Sequence, residues 1–200
     1  MLETVATLER TETQQTAPQP KIWQYEDYLK LPDDGKRYEI IEGVLYVANA
    51  PNINHQFAVF EISRQIGNHV LPNKLGYVLT APFEVHLSQT SRPVQPDVLF
   101  IGVEHWPSSN IQYFEGAPSL VVEVLSPSSL RLDRVIKFNA YEKAGVAEYW
   151  IVNPKTRSIE VYTLSGGEYA LLDEFTADEL LRSNVLPELS IAVSALFMME

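Results

Sequence analysis

The sequence predicts an α/β fold, a mixed β-sheet flanked by a small number of helices. Three observations lead there. Short apolar runs of strand length recur, such as Leu120-Val121-Val122-Glu123-Val124-Leu125 and Glu148-Tyr149-Trp150-Ile151-Val152. Two longer stretches, residues 55–71 and 131–144, have the 3- to 4-residue spacing of helices with one buried face. Their order is helix, hairpin, helix, strands, helix, strands, which suits a sheet with helices packed on it.

Each element has its own signal. Residues 25–31 read as a short helix ended by the turn Pro32-Asp33-Asp34-Gly35. Residues 37–48 read as a hairpin turning at Glu42-Gly43. Asn54 is a suitable N-cap for the helix at 55–71, whose apolar positions are Val59, Ile62, Ile66 and Val70. Residues 77–87 have a β pattern interrupted by Pro82, and residues 94–103 read as a buried strand with Pro96 near its start. After the strand at 120–125, Ser126-Pro127-Ser128-Ser129 breaks the pattern. The helix at 131–144 follows, with Ile136 and Ala140 toward the core and Gly145 as its C-cap. Strands are expected at 148–152, 159–163 and 169–175, then one helical turn at 178–181 and a short last strand.

Composition narrows the class. In 200 residues, 46% are hydrophobic and 20% charged, ordinary for one globular domain, here residues 21–200. Residues 1–20 are rich in Thr, Gln, Glu and Pro and are expected to form a flexible tail. They lack the basic start and apolar run of a secretory signal, and no stretch has the roughly 20 apolar residues of a membrane span. A cytoplasmic protein with no membrane partner is the simplest expectation. The absence of cysteine excludes disulfides and thiolate-bound zinc. The net charge of −11 argues against tight nonspecific binding to a nucleic-acid backbone, while leaving room for a local basic cleft or a metal site.

Two acids stand out. Glu123 lies among five aliphatic residues, and Asp97 lies in Val94-Gln95-Pro96-Asp97-Val98-Leu99-Phe100-Ile101. A carboxylate in such surroundings is costly to bury unless it is paired or bound to a metal. If the two converge, they suit a hard cation such as Mg²⁺. Otherwise each points to solvent or caps backbone groups. Asp133, Lys137 and Tyr141 recur at i, i+4 and i+8, so they share one helix face. That face either brings Lys137 to the acids or carries a surface Asp133–Lys137 ion pair. Glu39 can face the same cleft by strand alternation, whereas Glu42 beside Gly43 reads as turn chemistry. His55 opens its helix and either contacts a phosphate or water or simply sits at the helix start. No phosphate-binding glycine loop, nucleophile elbow or dinucleotide fingerprint is present.

Pro96-Asp97, with Glu123 on the next strand, resembles the PD-(D/E)XK phosphodiesterase core. The wider pattern is similar to the bacterial Uma family of restriction-endonuclease-like proteins. It is carried by Tyr38-Glu39-Ile40-Ile41-Glu42-Gly43, His55, Gln95-Pro96-Asp97-Val98, Val122-Glu123-Val124-Leu125-Ser126-Pro127-Ser128, Asp133 with Lys137 and Tyr141, and Gly145-Val146-Ala147-Glu148-Tyr149-Trp150-Ile151-Val152. The resemblance implies a restriction-endonuclease-like core, Mg²⁺- or Mn²⁺-dependent hydrolysis of DNA and a homodimer. It also implies catalytic Asp97, Glu123 and Lys137, with Asp97, Glu123 and Glu39 on the metal. The chain departs from the pattern in one place. Leu125 stands two residues after Glu123, where the core has its lysine, and Lys137 on the following helix is the matching position. A nuclease fold that binds without cleaving, or a structural protein whose acids are met by hydrogen bonds, is the alternative.

Overall fold

Strands that are apolar on both faces need cover on both faces, and the distribution of apolar residues here meets that need. The structure is a computed structural model that describes residues 21–48, 50–107 and 110–198; the expected tail at 1–20 lies outside the described residues. In chain order, α1 (Tyr25–Tyr28) leads to β1 (Arg37–Ile41) and β2 (Val44–Ala48), then α2 (Ile53–Val70). Next come β3 (Gly76–Thr80), β4 (Glu84–His86), β5 (Val98–Gly102), β6 (Tyr113–Glu115) and β7 (Leu120–Val124). A π-helical segment (Leu132–Lys137) runs into α3 (Phe138–Ala144). β8 (Glu148–Asn153), β9 (Ser158–Ser165), β10 (Glu168–Phe175), β11 (Leu180–Leu181) and β12 (Ile191–Ala192) complete the chain.

Six strands form the central sheet in the order β10-β9-β8-β7-β5-β3. Its neighbours are antiparallel except β7 and β8, which run parallel. A parallel pair requires a crossover, and the π segment with α3 supplies it. On one face, Val98, Val122, Val124, Trp150 and Val152 pack with Ala58, Ile62, Ile66 and Val70 of α2 and with the C-terminal segment. On the other face, Leu99, Val121, Tyr149 and Ile151 pack with Ala140 and Tyr141 of α3. This is the α/β class expected from the sequence, a mixed sheet flanked by helices.

The hairpin of β1 and β2 is a separate two-stranded unit. Its turn residues Glu42 and Gly43 both have positive φ, 49° and 73°, the type I′ geometry whose twist matches a hairpin. It docks on residues 90–95: Ile40 N–H donates to the Pro93 carbonyl at 2.9 Å and Gly43 N–H to the Thr90 carbonyl at 2.8 Å.

Several local expectations are corrected. The cap of α2 is Asn52, whose side chain accepts the His55 N–H at 3.0 Å, so the helix begins before the expected Asn54 cap. The strand expected at 94–103 begins at Val98, because Pro96 has no N–H and the Gln95 N–H goes to the Glu39 carboxylate at 2.7 Å. The helix at 131–144 opens with a π turn, and the Tyr149 hydroxyl donates to the Asp133 carbonyl inside it at 3.0 Å. The helical turn expected at 178–181 is not formed. Leu180-Leu181 pairs with Ile191-Ala192 instead, which buries Leu181 in the core. β6 carries no readable periodicity, having three residues of which only Phe114 is buried.

Glu148 fastens the C-terminal segment. Fully buried, it accepts from Trp150 Nε1 at 2.7 Å, Ser183 Oγ at 2.6 Å, Asn184 N–H at 2.7 Å and Val185 N–H at 3.3 Å. Removing it strands buried donors and frees a segment whose Leu186, Ile191, Val193 and Leu196 complete one core. Glu148→Ala is expected to lower stability by roughly 3–5 kcal/mol in urea unfolding. A loss below 1 kcal/mol would show that the fastening is dispensable.

Candidate active site

The register of β5 on β7 sets the two central acids side by side. Val98 pairs with Val122 in antiparallel register, so one step beyond the ladder Asp97 comes opposite Glu123. Residues so placed have Cβ atoms about 4.5–5.5 Å apart. Asp97 sits just before β5, and its Oδ2 accepts the Val124 N–H at 2.9 Å, which ties it to the strand that bears Glu123. Alternation along β7 turns Glu123 to the face that carries Val121.

The helix stripe reaches the same face. Glu123 Oε1 accepts from Lys137 Nζ at 2.8 Å and from the Tyr141 hydroxyl at 2.7 Å. Lys137 Nζ also lies 3.0 Å from Glu39 Oε1. Lys137, Glu39 and Glu123 are each 1% exposed, which rules out the surface ion pair between Asp133 and Lys137. β1 delivers Glu39 together with Arg37, two residues earlier on the same face. Arg37 Nη1 donates to Asp97 Oδ1 at 3.0 Å, and His55 Nε2 from the first turn of α2 lies 3.1 Å from Asp97 Oδ2.

Asp97, Glu123, Asp133, Lys137, Arg37 and His55 line a cleft of about 250 Å³, closed on one side by Ser126-Pro127-Ser128-Ser129. Glu39 does not line the cleft and reaches the site through Lys137. Glu42 is remote from it. Its carboxylate pairs with exposed Lys143 at 3.1 Å.

Residues 25–194 match the family Uma2, described as "Putative restriction endonuclease". The chain belongs to the Uma2 family. Among relatives of known sequence, it is 26% identical to the uncharacterized protein sll1609 of Synechocystis sp. over 79% of this chain and 90% of that one. It is also 26% identical to the uncharacterized protein slr1290 of the same organism over 91% of this chain and 94% of that one. Among solved structures, it is similar to a putative nuclease belonging to DUF820 from Anabaena variabilis, with a TM-score of 0.74 and 21% identity over 87% of this chain and 97% of that one. That likeness is one of fold.

In this Uma2 chain the site has more acid than base. Glu39, Asp97, Glu123 and Asp133, all buried, face two permanent cations, Arg37 and Lys137. The site responds unevenly. Burial opposes ionisation of Asp97, but the His55 hydrogen bond and the Arg37 charge outweigh it and hold this carboxyl well below the usual carboxylate range. Burial pushes Glu123 well above that range, against the Lys137 charge and with the help of Asp97, Asp133 and Glu39. Lys137 is held charged, because the carboxylates around it outweigh its burial.

The donors fit a hard divalent cation in kind, being carboxylate and hydroxyl oxygens on one cleft. Buried Glu39 Oε2 also has no hydrogen-bond partner. Among the described residues, no group of three His, Asp or Glu side chains is already arranged to hold an ion. Mg²⁺ commonly takes only one or two carboxylates and fills its remaining positions with water and substrate phosphate, so an Asp97–Glu123 pair is sufficient in number.

Sequence reasoning missed Arg37. The available signal was its two-residue spacing from Glu39, which puts both on one strand face. For His55 the helix-start reading and the functional reading are both open in the sequence, and it is the side chain that bridges α2 to Asp97.

Asp133 yields a test. Burial, against the Lys137 charge, pushes its carboxyl up to about 6 from an ordinary 3.8. A raised carboxyl favours folding fully below its unfolded value, and that contribution is lost as pH rises through about 6. Between pH 4 and pH 8, Asp133→Asn should therefore gain up to about 3 kcal/mol relative to the parent chain in urea unfolding. A difference that does not change with pH would refute the assignment.

Proposed function

We propose that the chain is a metal-dependent endonuclease that hydrolyses DNA phosphodiester bonds. The observation that carries this reading is the meeting of Lys137 with Glu123. The strand position that would bear the lysine is Leu125, packed in the core. The ammonium arrives from the next helix and lies 2.8 Å from the acid it is expected to serve. Membership of the Uma2 family and the likeness in fold to a nuclease support the same reading.

In this mechanism Asp97 and Glu123 would hold Mg²⁺ or Mn²⁺ at the cleft, and Glu39, the third carboxylate of the proposed set, would support them through Lys137. The ion, when bound, supplies Lewis acidity to the phosphate and acidifies a water. The chain's own residues do the rest. Arg37 and His55 fix the Asp97 carboxylate, so its lone pairs are aimed before substrate arrives. Lys137 keeps Glu123 oriented and places a positive charge where the pentacovalent phosphate gathers negative charge. The Ser126–Ser129 loop walls the cleft beside Glu123. A homodimer, as the resemblance implies, and the cytoplasmic location expected from the sequence belong to the same proposal.

The test is nicking of supercoiled plasmid with Mg²⁺ or Mn²⁺, and with neither. Asp97→Ala and Lys137→Met are each expected to reduce the rate at least 100-fold, with urea unfolding used to confirm that each variant is folded. An Asp97→Ala rate equal to the parent's would sink the mechanism. Metal-dependent DNA binding without any cleavage by the parent chain would favour a binding protein that keeps the fold.

A further inference from the structure

A second cleft, of about 490 Å³, opens beside the first and shares Arg37, His55 and Asp97 with it. Its volume falls within the roughly 300–1,000 Å³ typical of small-ligand sites. Two half-buried tyrosine side chains, Tyr28 and Tyr38, stand in its wall. Both hydroxyls are tied back, Tyr28 donating to Glu84 at 2.8 Å and Tyr38 to Asp34 at 3.0 Å, so the rings are held in place.

The unusual group is Gln95. It lines this cleft, is 5% exposed, and its Oε1 has no hydrogen-bond partner. Its Nε2 reaches the Tyr28 hydroxyl and the Tyr38 carbonyl, each at 3.4 Å. The Tyr38 carbonyl can only accept, which fixes the amide with its nitrogen on that side and leaves the oxygen as the orphan. Buried acceptors without partners are rare and costly. The two contacts on Nε2 are long, and the terminal amide torsion is soft, so a small rotation offers Oε1 to a ligand.

We infer that this cleft takes the unpaired base of the nucleotide next to the scissile phosphate. The inference rests on the nuclease reading and names its substrate as a strand unpaired at the cut. Every base presents a face on which an aromatic ring can stack. Every base also carries an N–H donor on its Watson–Crick edge, and in a duplex that donor is already taken by the partner strand. An orphan acceptor beside two fixed rings therefore matches an unpaired base, either from a single strand or flipped out of a duplex. Arg37, shared by the two clefts, stands where the intervening phosphate would pass.

The test is fluorescence anisotropy of the full chain in EDTA, which reads binding without cleavage. The probes are a single-stranded oligonucleotide, an abasic oligomer with the same number of phosphates, a blunt duplex, and that duplex with one mismatch. The single strand is expected to bind about tenfold more tightly than the abasic oligomer or the blunt duplex, the size of one base–aromatic stack. Strong binding of the mismatched duplex would identify a flipped base as a second source of the same ligand. Gln95→Leu and Tyr38→Ala, each with a native unfolding curve, should bring the single-strand preference down to about twofold or less. Equal affinity for the single strand and the abasic oligomer, or a preference unchanged in both variants, would overturn the inference. Plasmid nicking reads the chemistry separately. A chain that nicks DNA without base preference loses only the base cleft, and one that prefers unpaired bases but cleaves nothing loses only the nuclease reading.

Discussion

The Lys137 ammonium, buried between Glu123 and Glu39, is the contact on which the arrangement of the site depends. Taking an ammonium and two carboxylates out of water costs several kcal/mol per ion. The cost is met only if all the partners arrive together, and they come from three separate elements. Glu123 is on β7, Glu39 on β1, and Lys137 on the π segment that enters α3. The β1–β2 hairpin is not part of the central sheet, so Glu39, with Arg37 on Asp97 and Ile41 in the packed face, links it to the core. The same carboxylate accepts the Gln95 N–H at 2.7 Å, which positions the Pro96-Asp97 segment as well. Once the ammonium is in place, the hairpin, the strand end and the helix are in place relative to one another.

This arrangement explains why the cleft can be acidic without coming apart. Asp97 does not depend on Lys137 alone, because Arg37 and His55 hold its two oxygens from the hairpin and from α2. Glu123 has Lys137 and Tyr141 on a single oxygen. The cations therefore line the same cleft as the acids they hold. Such a set of fixed charges needs little reorganisation when a further charge enters. Moving the lysine from strand to helix fits this picture. At Leu125 the strand is needed for packing under α3, while the helix can bring a long side chain to Glu123 without interrupting the core.

Much of this was legible in the sequence, for definite reasons. Asp97 and Glu123 were visible because charge within an apolar run violates the strand pattern. The 133–137–141 stripe was visible because helix periodicity makes it one face. The mixed sheet was visible in the order of helix, hairpin, helix, strands, helix and strands. What stayed hidden depended on pairing between distant segments. Arg37 looks like an ordinary charged residue at a strand start until the hairpin is folded against residues 90–95. The π turn has no composition of its own, and it is associated with the Tyr149 hydroxyl on the Asp133 carbonyl. β6 and β11 are too short for alternation to be counted, and β11 forms because Leu181 is buried when it pairs.

The net charge of −11 constrains how any polyanion can be held. A protein that follows a duplex by its phosphates does so with many Lys and Arg contacts, and its affinity is the sum of the counterions released. This chain has 15 such residues against 26 acids. Its site places only Arg37 and Lys137 among four buried carboxyl groups, and Lys137 is already paired with Glu39 and Glu123. Backbone attraction is therefore a poor source of affinity here, and the ion of the proposed mechanism would offset part of the repulsion between the acids and a phosphate. On the proposed reading, what remains is short-range recognition: Asp97 and Glu123 for one phosphate, one guanidinium beside them, and fixed rings with an unsatisfied amide in the adjoining cleft. Electrostatics and the second cleft thus favour the same form of the proposed function, with a substrate recognised locally at an irregular place in a strand and not one gripped along its length.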